Sequence, residues 1–249
     1  MNEVRIVAFS DSHGIANLDR IAAGALVGKA DIVAIAGDVQ TCLAYDSVTD
    51  FYVGRFSRFV KILKENGIDC VVTPGNHDSH LVEVMGDRIK KDGLDNLHIL
   101  VDEEASVKGV RFYGTPWCPT INGMWCYEMS ETSLSEVYRK IPSGVDVLLA
   151  HTPPLGVYKR EKWDLISGRC EHLGSESLLN EILVKEPRAV VFGHIHSGSH
   201  AVGRIGESKI VNVSLLGEDY HVRYRPAEIL FTKDGRVGIR ANGRRRFVY

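Results

Sequence analysis

Five short motifs follow one another down the chain, each directly behind an apolar run that reads as a β-strand. They are Asp11-Ser12-His13, Gly37-Asp38, Gly75-Asn76-His77-Asp78, Ala150-His151-Thr152-Pro153 and Gly193-His194-Ile195-His196. Each delivers an Asp, an Asn or a His. Side chains from five strand ends converge only where those ends share one rim of a sheet, so the motifs constrain the topology before any other feature is weighed. One such motif arises easily by chance; five in series behind strands do not.

The segments between the motifs supply the elements. Val4 to Phe9 is β-rich, and Ser10 to Gly14 turns the chain. Ala16 to Val27 has helical spacing, with Leu18, Ile21, Ala22, Ala25 and Leu26 on one face. Asp31 to Ala36 is a second strand, Phe51 to Leu63 an amphipathic helix with Gly67 as its cap beyond Asn66, and Cys70 to Thr73 a third strand. Such strand–helix–strand units predict a largely parallel sheet with helices packed on it. The rhythm then shortens, with strands over 97–101, 105–108 and 110–113 and a tight turn at Lys108-Gly109. A short helix over Ser135 to Ile141 precedes a strand over Val145 to Ala150, and a helix over Glu176 to Lys185 precedes one over Ala189 to Phe192. Strands over 210–215, 227–232 and 237–241 close the chain, the last two joined by a hairpin turn at Lys233-Asp234-Gly235. The second half therefore reads as richer in hairpins. With no repeat, linker or low-complexity segment, the expectation is one domain over residues 1–249, an α/β fold of two packed sheets with flanking helices.

Composition excludes several classes of function. A net charge of −2 supplies no field that would recruit nucleic acid. The Arg244-Arg245-Arg246 run reads as a solvated face. The five cysteines (Cys42, Cys70, Cys118, Cys126, Cys170) form no C-x-x-C pair, which argues against a disulfide framework or a thiolate zinc site and fits a reducing compartment. Cys42 and Cys70 flank strand ends and read as small core hydrophobes. Met1 to Arg5 leads straight into a strand without the pattern of a secretory signal. No apolar stretch approaches the ~20 residues of a membrane span. The expectation is a cytoplasmic protein without membrane or nucleic-acid partners, a homodimer being left open.

The residue types of the five motifs point to metal chemistry. Asp11 and His13, at i and i+2 past a strand, point the same way if the backbone is extended; His194 and His196 repeat the spacing. Asp38 has two oxygens with which to bridge cations, Asn76 a neutral amide oxygen, and His151, His194 and His196 are imidazole donors. The glycines at 14, 37, 75 and 193 let the backbone turn and approach without a Cβ. Carboxylate, amide oxygen and imidazole together suit two adjacent divalent cations of intermediate hardness, and two such ions cleave phosphate esters.

These blocks together resemble the signature of the calcineurin-like metallophosphoesterases, over about Val4 to Leu215. His151-Thr152-Pro153-Pro154-Leu155-Gly156 and Gly114-Thr115-Pro116-Trp117 are similar to a branch of small single-domain phosphodiesterases. The resemblance implies a four-layer α/β/β/α sandwich, with two mixed sheets flanked by helices. It implies that Asp11, His13 and His196 hold one metal, that Asn76, His151 and His194 hold the other, and that Asp38 bridges them. His77 would not ligate but would assist charge stabilisation or leaving-group protonation beside the scissile phosphate. The implied reaction is in-line attack by a metal-bridging hydroxide on a small phosphodiester, cyclic nucleotides among the candidates. Manganese is the first choice of metal, with iron, zinc, cobalt, nickel or magnesium as alternatives. Asp78 departs from the Glu that many members carry.

The other readings are a phosphomonoesterase or protein phosphatase, a nuclease subunit, and a scaffold that kept the fold without catalysis. The scaffold reading is disfavoured because no ligand is missing. Of the ten histidines, His98, His172, His200 and His221 belong to no motif and are read as structural or surface residues. His80 is read as opening the next helix, and Asp78 as either orienting a ligand histidine or capping that helix. Trp117 and Trp125 flank Asn122-Gly123, and at least one of them is expected to reach the pocket as an aromatic wall.

Overall fold

The structure is a computed structural model and describes residues 3–41, 45–156, 173–197, 200–241, 243 and 246–249, without the side chains of Tyr45 and Asp46. Cys42, Cys170, His172, Arg244 and Arg245 lie outside the described residues.

Strand after strand in the first half is apolar on both faces, and each face goes to a different core. Strands β1 (Val4–Phe9), β2 (Ile32–Ala36), β3 (Asp69–Thr73) and β4 (Leu97–Ile99) pair in parallel in that order. Val7, Phe9, Val33, Ile35, Cys70 and Val72 face a core built with the helices, whereas Ile6, Ala8, Ile32, Ala34 and Val71 face the second sheet. This two-residue alternation between two buried environments is why the strands read as continuous apolar runs rather than as alternating ones. The helices on the outer face are α1 (Leu18–Val27), α2 (Tyr45–Phe51), α3 (Ser57–Glu65) and α4 (Leu81–Asp92).

The second sheet has β5 (Glu103–Val107), β6 (Val110–Thr115), β9 (Val147–Ala150), β10 (Ala189–Phe192), β11 (Gly203–Ile205) and β12 (Ser208–Asn212) in the order β11-β12-β10-β9-β6-β5. Between β6 and β9 a short bridge joins β7 (Cys118–Pro119) to β8 (Glu128–Met129). Helices α5 (Glu131–Tyr138) and α6 (Glu176–Lys185) cover the outer face through Leu134, Tyr138, Leu178 and Ile182, which meet Leu148, Val190 and Phe192. The strands β13 (Ala227–Phe231) and β14 (Val237–Arg240) return to the first sheet beside β1. The result is the expected α/β/β/α layering of two six-stranded mixed sheets.

Three local differences from the sequence reading have physical causes. The hairpins expected of the second half are confined to sheet edges (β5/β6, β11/β12, β13/β14), while β6, β9, β10 and β12 pair in parallel, because α5 and α6 supply crossovers. The helix over Ser135 to Ile141 begins instead at Glu131, because Ser130 accepts from the Ser133 N–H at 3.3 Å and caps it. The helix over Phe51 to Leu63 is α2 and α3 joined by a π-helical turn, Tyr52–Phe56. No helix among the described residues is long and apolar enough to cross a membrane.

Candidate metal centre

The C-terminal ends of β1, β2, β3, β9 and β10 lie along one rim, and the five motifs are the loops that leave them. Backbone hydrogen bonds stitch these loops together. Asp11 N donates to Gly37 O and His13 N to Asp38 O, both at 3.0 Å, and Gly193 N donates to His151 O at 3.0 Å. Asp11, His13, Asp38 and His194 have φ of 50°, 45°, 52° and 67°. This left-handed backbone costs a non-glycine residue about 1–2 kcal/mol. Thus Asp11 and His13 converge through a left-handed turn, not through the extended geometry expected. Such strain also occurs elsewhere in the chain, as at Lys29 and Glu186, but at four motif residues it sits where functional sites store it.

Three overlapping groups result: Asp11, His13 and His196; His13, Asp38 and His77; and Asp38, His151 and His194, with donor atoms inside each group within 4.8 Å of one another. Asn76 joins the last, its Oδ1 lying 2.9 Å from His151 Nε2. His77 sits close enough to Asp38, Nε2 to Oδ2 at 4.0 Å, to share a group with two of the expected ligands.

These residues fit cations on the chemistry of their donors. His151 Nδ1 lies 2.9 Å from Ala36 O, and a carbonyl oxygen only accepts, so Nδ1 carries the proton. Burial pulls the His151 pKa down, so the ring is neutral and Nε2 presents a lone pair. That lone pair faces Asn76 Oδ1 and, at 3.5 Å, Asp38 Oδ1. A ring lone pair, an amide oxygen and a carboxylate oxygen facing one another are an arrangement that a cation resolves. On the other side, His196 Nδ1 lies 3.2 Å from Gly217 O, and its Nε2 faces His13 Nε2 at 3.3 Å and Asp11 Oδ1 at 3.4 Å. Ring nitrogens pinned by carbonyls in this way orient metal ligands.

Electrostatics agree. Burial pushes the pKa of His13 and His194 down to about 3 and that of His77 to about 4. Burial, then the charges of Asp11 and Asp78, push Asp38 well above the usual carboxylate range. Burial alone would raise Asp11 too, but its hydrogen bond and charge interaction with His196 hold it well below that range. Among the described imidazoles of the rim His196 is the exception: burial alone would lower it, but its hydrogen bond and charge interaction with Asp11 outweigh burial and shift it up. Depressed imidazoles beside crowded carboxylates leave the site short of positive charge.

Two glycines permit the approach of strand ends by lacking a side chain. A Cβ on Gly75 would lie 2.2 Å from Asp38 Oδ1, and one on Gly193 would lie 2.3 Å from Asp11 Oδ2.

Asp78 does neither of the things expected of it. Its buried carboxylate accepts from the N–H groups of Gly75 (2.9 Å), Val39 (3.2 Å) and Gln40 (3.1 Å) and from the Tyr52 hydroxyl (2.8 Å). It clamps the second motif to the third. His80 is the N-cap residue of α4, without a side-chain capping bond. His98 pairs with Asp69 at 3.2 Å, and His221 is exposed beside Asp219. His200 is buried, stacked on Tyr224 with ring centroids 3.5 Å apart, and its Nε2 lies 3.3 Å from His196 O.

The two tryptophans part company. Trp117 is committed elsewhere: Nε1 donates to Asp102 Oδ2, its carbonyl accepts from Tyr138 Oη at 2.8 Å, and its ring meets the edge of Tyr127. Trp125 lies against His77 with ring centroids 4.3 Å apart. Sequence reasoning missed Tyr220, whose ring meets His13 and His196 at 5.1 and 5.2 Å, and the Ser10 and Ser214 hydroxyls that donate to Asp11 Oδ2. Ser10 adjoins the first motif in the sequence, but no motif marks Ser214 or Tyr220; only the fold brings residues 214 and 220 back to the first motif.

Comparison with known proteins follows the same lines. The family model described as calcineurin-like phosphoesterase matches residues 4–198. Human metallophosphoesterase domain-containing protein 1 is 34% identical over 173 residues, covering 60% of this chain and 51% of that protein. UPF0046 protein T07D4.2 of Caenorhabditis elegans is 27% identical over 248 residues, covering 90% of this chain and 59% of that protein. The chain thus spans about half the length of these curated relatives. Among solved structures, TT1561 of Thermus thermophilus superposes with a TM-score of 0.64 at 15% identity, covering 96% of this chain and 98% of that one. A dimetal phosphatase from Danio rerio superposes with a TM-score of 0.58 at 12% identity, covering 98% of each chain. At these identities the structural likeness is one of fold.

Proposed function

This chain belongs to the calcineurin-like phosphoesterase family, and from that premise we propose that it is a phosphodiesterase acting on small phosphodiesters at a binuclear metal centre on the shared rim. The observation that carries the reading is the convergence of donor atoms of His151, Asn76, Asp38, Asp11, His13 and His196, all but His196 buried. Asp11, His13 and His196 are proposed to hold one divalent cation and Asn76, His151 and His194 the other, with Asp38 between them. Manganese is the first candidate, and mixed oxygen and nitrogen donors also admit iron, zinc, cobalt, nickel or magnesium. Two such ions, when bound, supply Lewis acidity to the phosphoryl oxygens and to the attacking water.

The chain's own residues do the rest. Asp38 is fixed by the His77 N–H at 2.9 Å, so the bridging position and His77 move together. His77, with Nε2 toward Asp38, is proposed to donate a hydrogen bond or a proton to the departing oxygen rather than to ligate. Trp125 and Tyr220 stand beside the imidazoles and narrow the rim, which supports a small substrate, cyclic nucleotides among the candidates. Among the described residues, Asp11 and Asp38 pair with imidazoles and with no Lys or Arg. The preference for diesters rests on the likeness of the 114–117 and 151–156 segments to small phosphodiesterases. Of the two indoles, Trp125 is proposed to face the substrate. The free thiols Cys70 and Cys118 support the cytoplasm as its location. The core between the sheets draws on strands from both halves of the chain, which supports one domain over residues 1–249.

The test is hydrolysis of bis(p-nitrophenyl) phosphate beside p-nitrophenyl phosphate after chelation and manganese add-back, with Asp38→Ala as control. Metal-dependent turnover that prefers the diester and is lost in the variant is the expected result. Preference for the monoester would move the assignment to a phosphomonoesterase. No turnover in protein that binds two metals would favour the scaffold.

A further inference from the structure

The loop between β7 and β8 is organised by one carboxylate that no motif marks. Glu128 Oε1 accepts from the backbone N–H of Ile121 at 2.8 Å and of Asn122 at 3.3 Å, and Oε2 accepts from that of Trp125 at 3.3 Å. Asn122 Oδ1 accepts from Met124 N at 3.0 Å. Gly123 and Tyr127 turn the chain with φ of 74° and 56°. Apolar packing does not hold this loop, since Ile121 and Met124 are exposed. Its polar contacts do, and they converge on Glu128. Burial alone would raise the Glu128 pKa, yet the loop N–H groups hold it below the ordinary value.

What the loop presents is the Trp125 indole, tilted 37° on the His77 imidazole. His77 needs such a support. Its Nδ1 is buried without a hydrogen-bond partner among the described residues, unlike His151 and His196, whose Nδ1 atoms face carbonyls. Its other ring neighbour among the described residues is His13, edge-on at 4.8 Å. The orientation of the His77 ring is therefore set by packing, and Trp125 supplies one wall of it.

We propose that Glu128 is a positioning residue: by gathering the N–H groups of the 121–125 loop it holds the Trp125 indole against His77 and so fixes the imidazole that faces the substrate. Its effect on turnover rests on the role given to His77 above; its effect on Trp125 does not. The proposal implies a serial arrangement, in which Glu128 matters only through Trp125.

The experiment combines Glu128→Ala, Glu128→Gln, Trp125→Ala, Trp125→Phe and the double variants. Glu128→Ala is expected to lower kcat on bis(p-nitrophenyl) phosphate by roughly ten- to a hundred-fold, the scale of a misplaced catalytic group, with metal content unchanged. Added to Trp125→Ala, it should cause no further loss. Glu128→Gln should fall between, because its amide oxygen still accepts from Ile121 and Asn122 while its NH2 cannot accept from Trp125 N. The readout independent of turnover is acrylamide quenching of tryptophan emission. Glu128→Ala should raise quenching in the wild-type background and leave it unchanged in Trp125→Phe. Equal quenching in all backgrounds, or losses of kcat that multiply in the double variant, would overturn the proposal. A wild-type protein without turnover would sink the hydrolase reading while the quenching comparison still decides the placement of Trp125.

Discussion

Gly75→Ala isolates the claim that backbone proximity sets the bridging carboxylate. Gly75 does not adopt a left-handed φ, so alanine is tolerated by the local backbone and the perturbation is purely steric. The new methyl group would stand 2.2 Å from Asp38 Oδ1, 2.5 Å from Asp38 N and 2.6 Å from His151 Cε1. Ordinary contact begins at 3.4 Å, so the carboxylate oxygen or the strand end must shift by 1.2 Å. Metal sites tolerate ligand displacements of roughly 0.2 Å, and a misplacement of about 1 Å is worth ~10²-fold in rate. The fold, by contrast, bears only the ordinary cost of overpacking, about 1–3 kcal/mol. At ~2–4 °C per kcal/mol for a chain of this size, that lowers the Tm of the metal-free protein by roughly 2–12 °C. Metal analysis after dialysis, turnover of bis(p-nitrophenyl) phosphate and a melt of the metal-free protein separate the two effects. Gly24→Ala in α1 is the control, because nothing lies within 4 Å of its Cβ. It should keep metal and turnover and gain up to ~1 kcal/mol of stability. A Gly75→Ala protein with wild-type metal content and turnover would refute the reasoning.

His77→Ala should retain metal while turnover falls ~10²–10⁴-fold on a substrate with a poor leaving group; metal loss by elemental analysis would instead make the His13, Asp38 and His77 group a binding one. Tyr52→Phe removes a hydroxyl donor from the buried Asp78 carboxylate and should cost about 1–3 kcal/mol in urea unfolding, an unchanged midpoint being the contrary result. At high pH, burial raises the Tyr52 and Tyr138 hydroxyls well above their ordinary 10 and pushes Tyr127 up to about 12. The neutral form is favoured in the fold, so this contribution is fully present below pH ~10 and is lost as pH rises toward and beyond 12. The share of tyrosinate absorbance that comes from these three residues should therefore appear together with loss of circular dichroism; ionisation of all nine tyrosines near pH 10 in folded protein would contradict it.

What was legible in the sequence was what is local. β1, α6 and β10 fall where the pattern places them, because each is bounded by its own signals: the Ser10 turn, the Ser175 cap whose Oγ accepts from Leu178 N, and Gly193. Six of the seven proposed ligands occupy the three groups with His77, and Asn76 joins through His151, because a strand end followed by a turn leaves little choice of direction. The π-helical turn left no such mark. It is readable only from its consequence, the Tyr52 hydroxyl on Asp78, and that bond links residues with no common pattern in the sequence.

The same distinction separates holding a metal from using it. Asp11, Asp38, His151 and His194 are each presented by a strand end, and their spacing is fixed by sheet register and by glycines such as Gly75 and Gly193. The rings beside them come from loops: Trp125 from the Glu128 loop against His77, and Tyr220 from the turn after β12 against His13 and His196. A loop tolerates substitution more readily than a buried parallel strand does. On the proposed assignment a change in these loops alters how the substrate is held without disturbing the proposed ligands, whereas a change at Gly75 or Asp38 removes the proposed centre itself. Variants of Trp125 should lower kcat through His77, and variants of Tyr220 should move KM and substrate preference, both at constant metal content. Variants of the strand ends should move metal content first, and this difference in order shows which residues bind and which select.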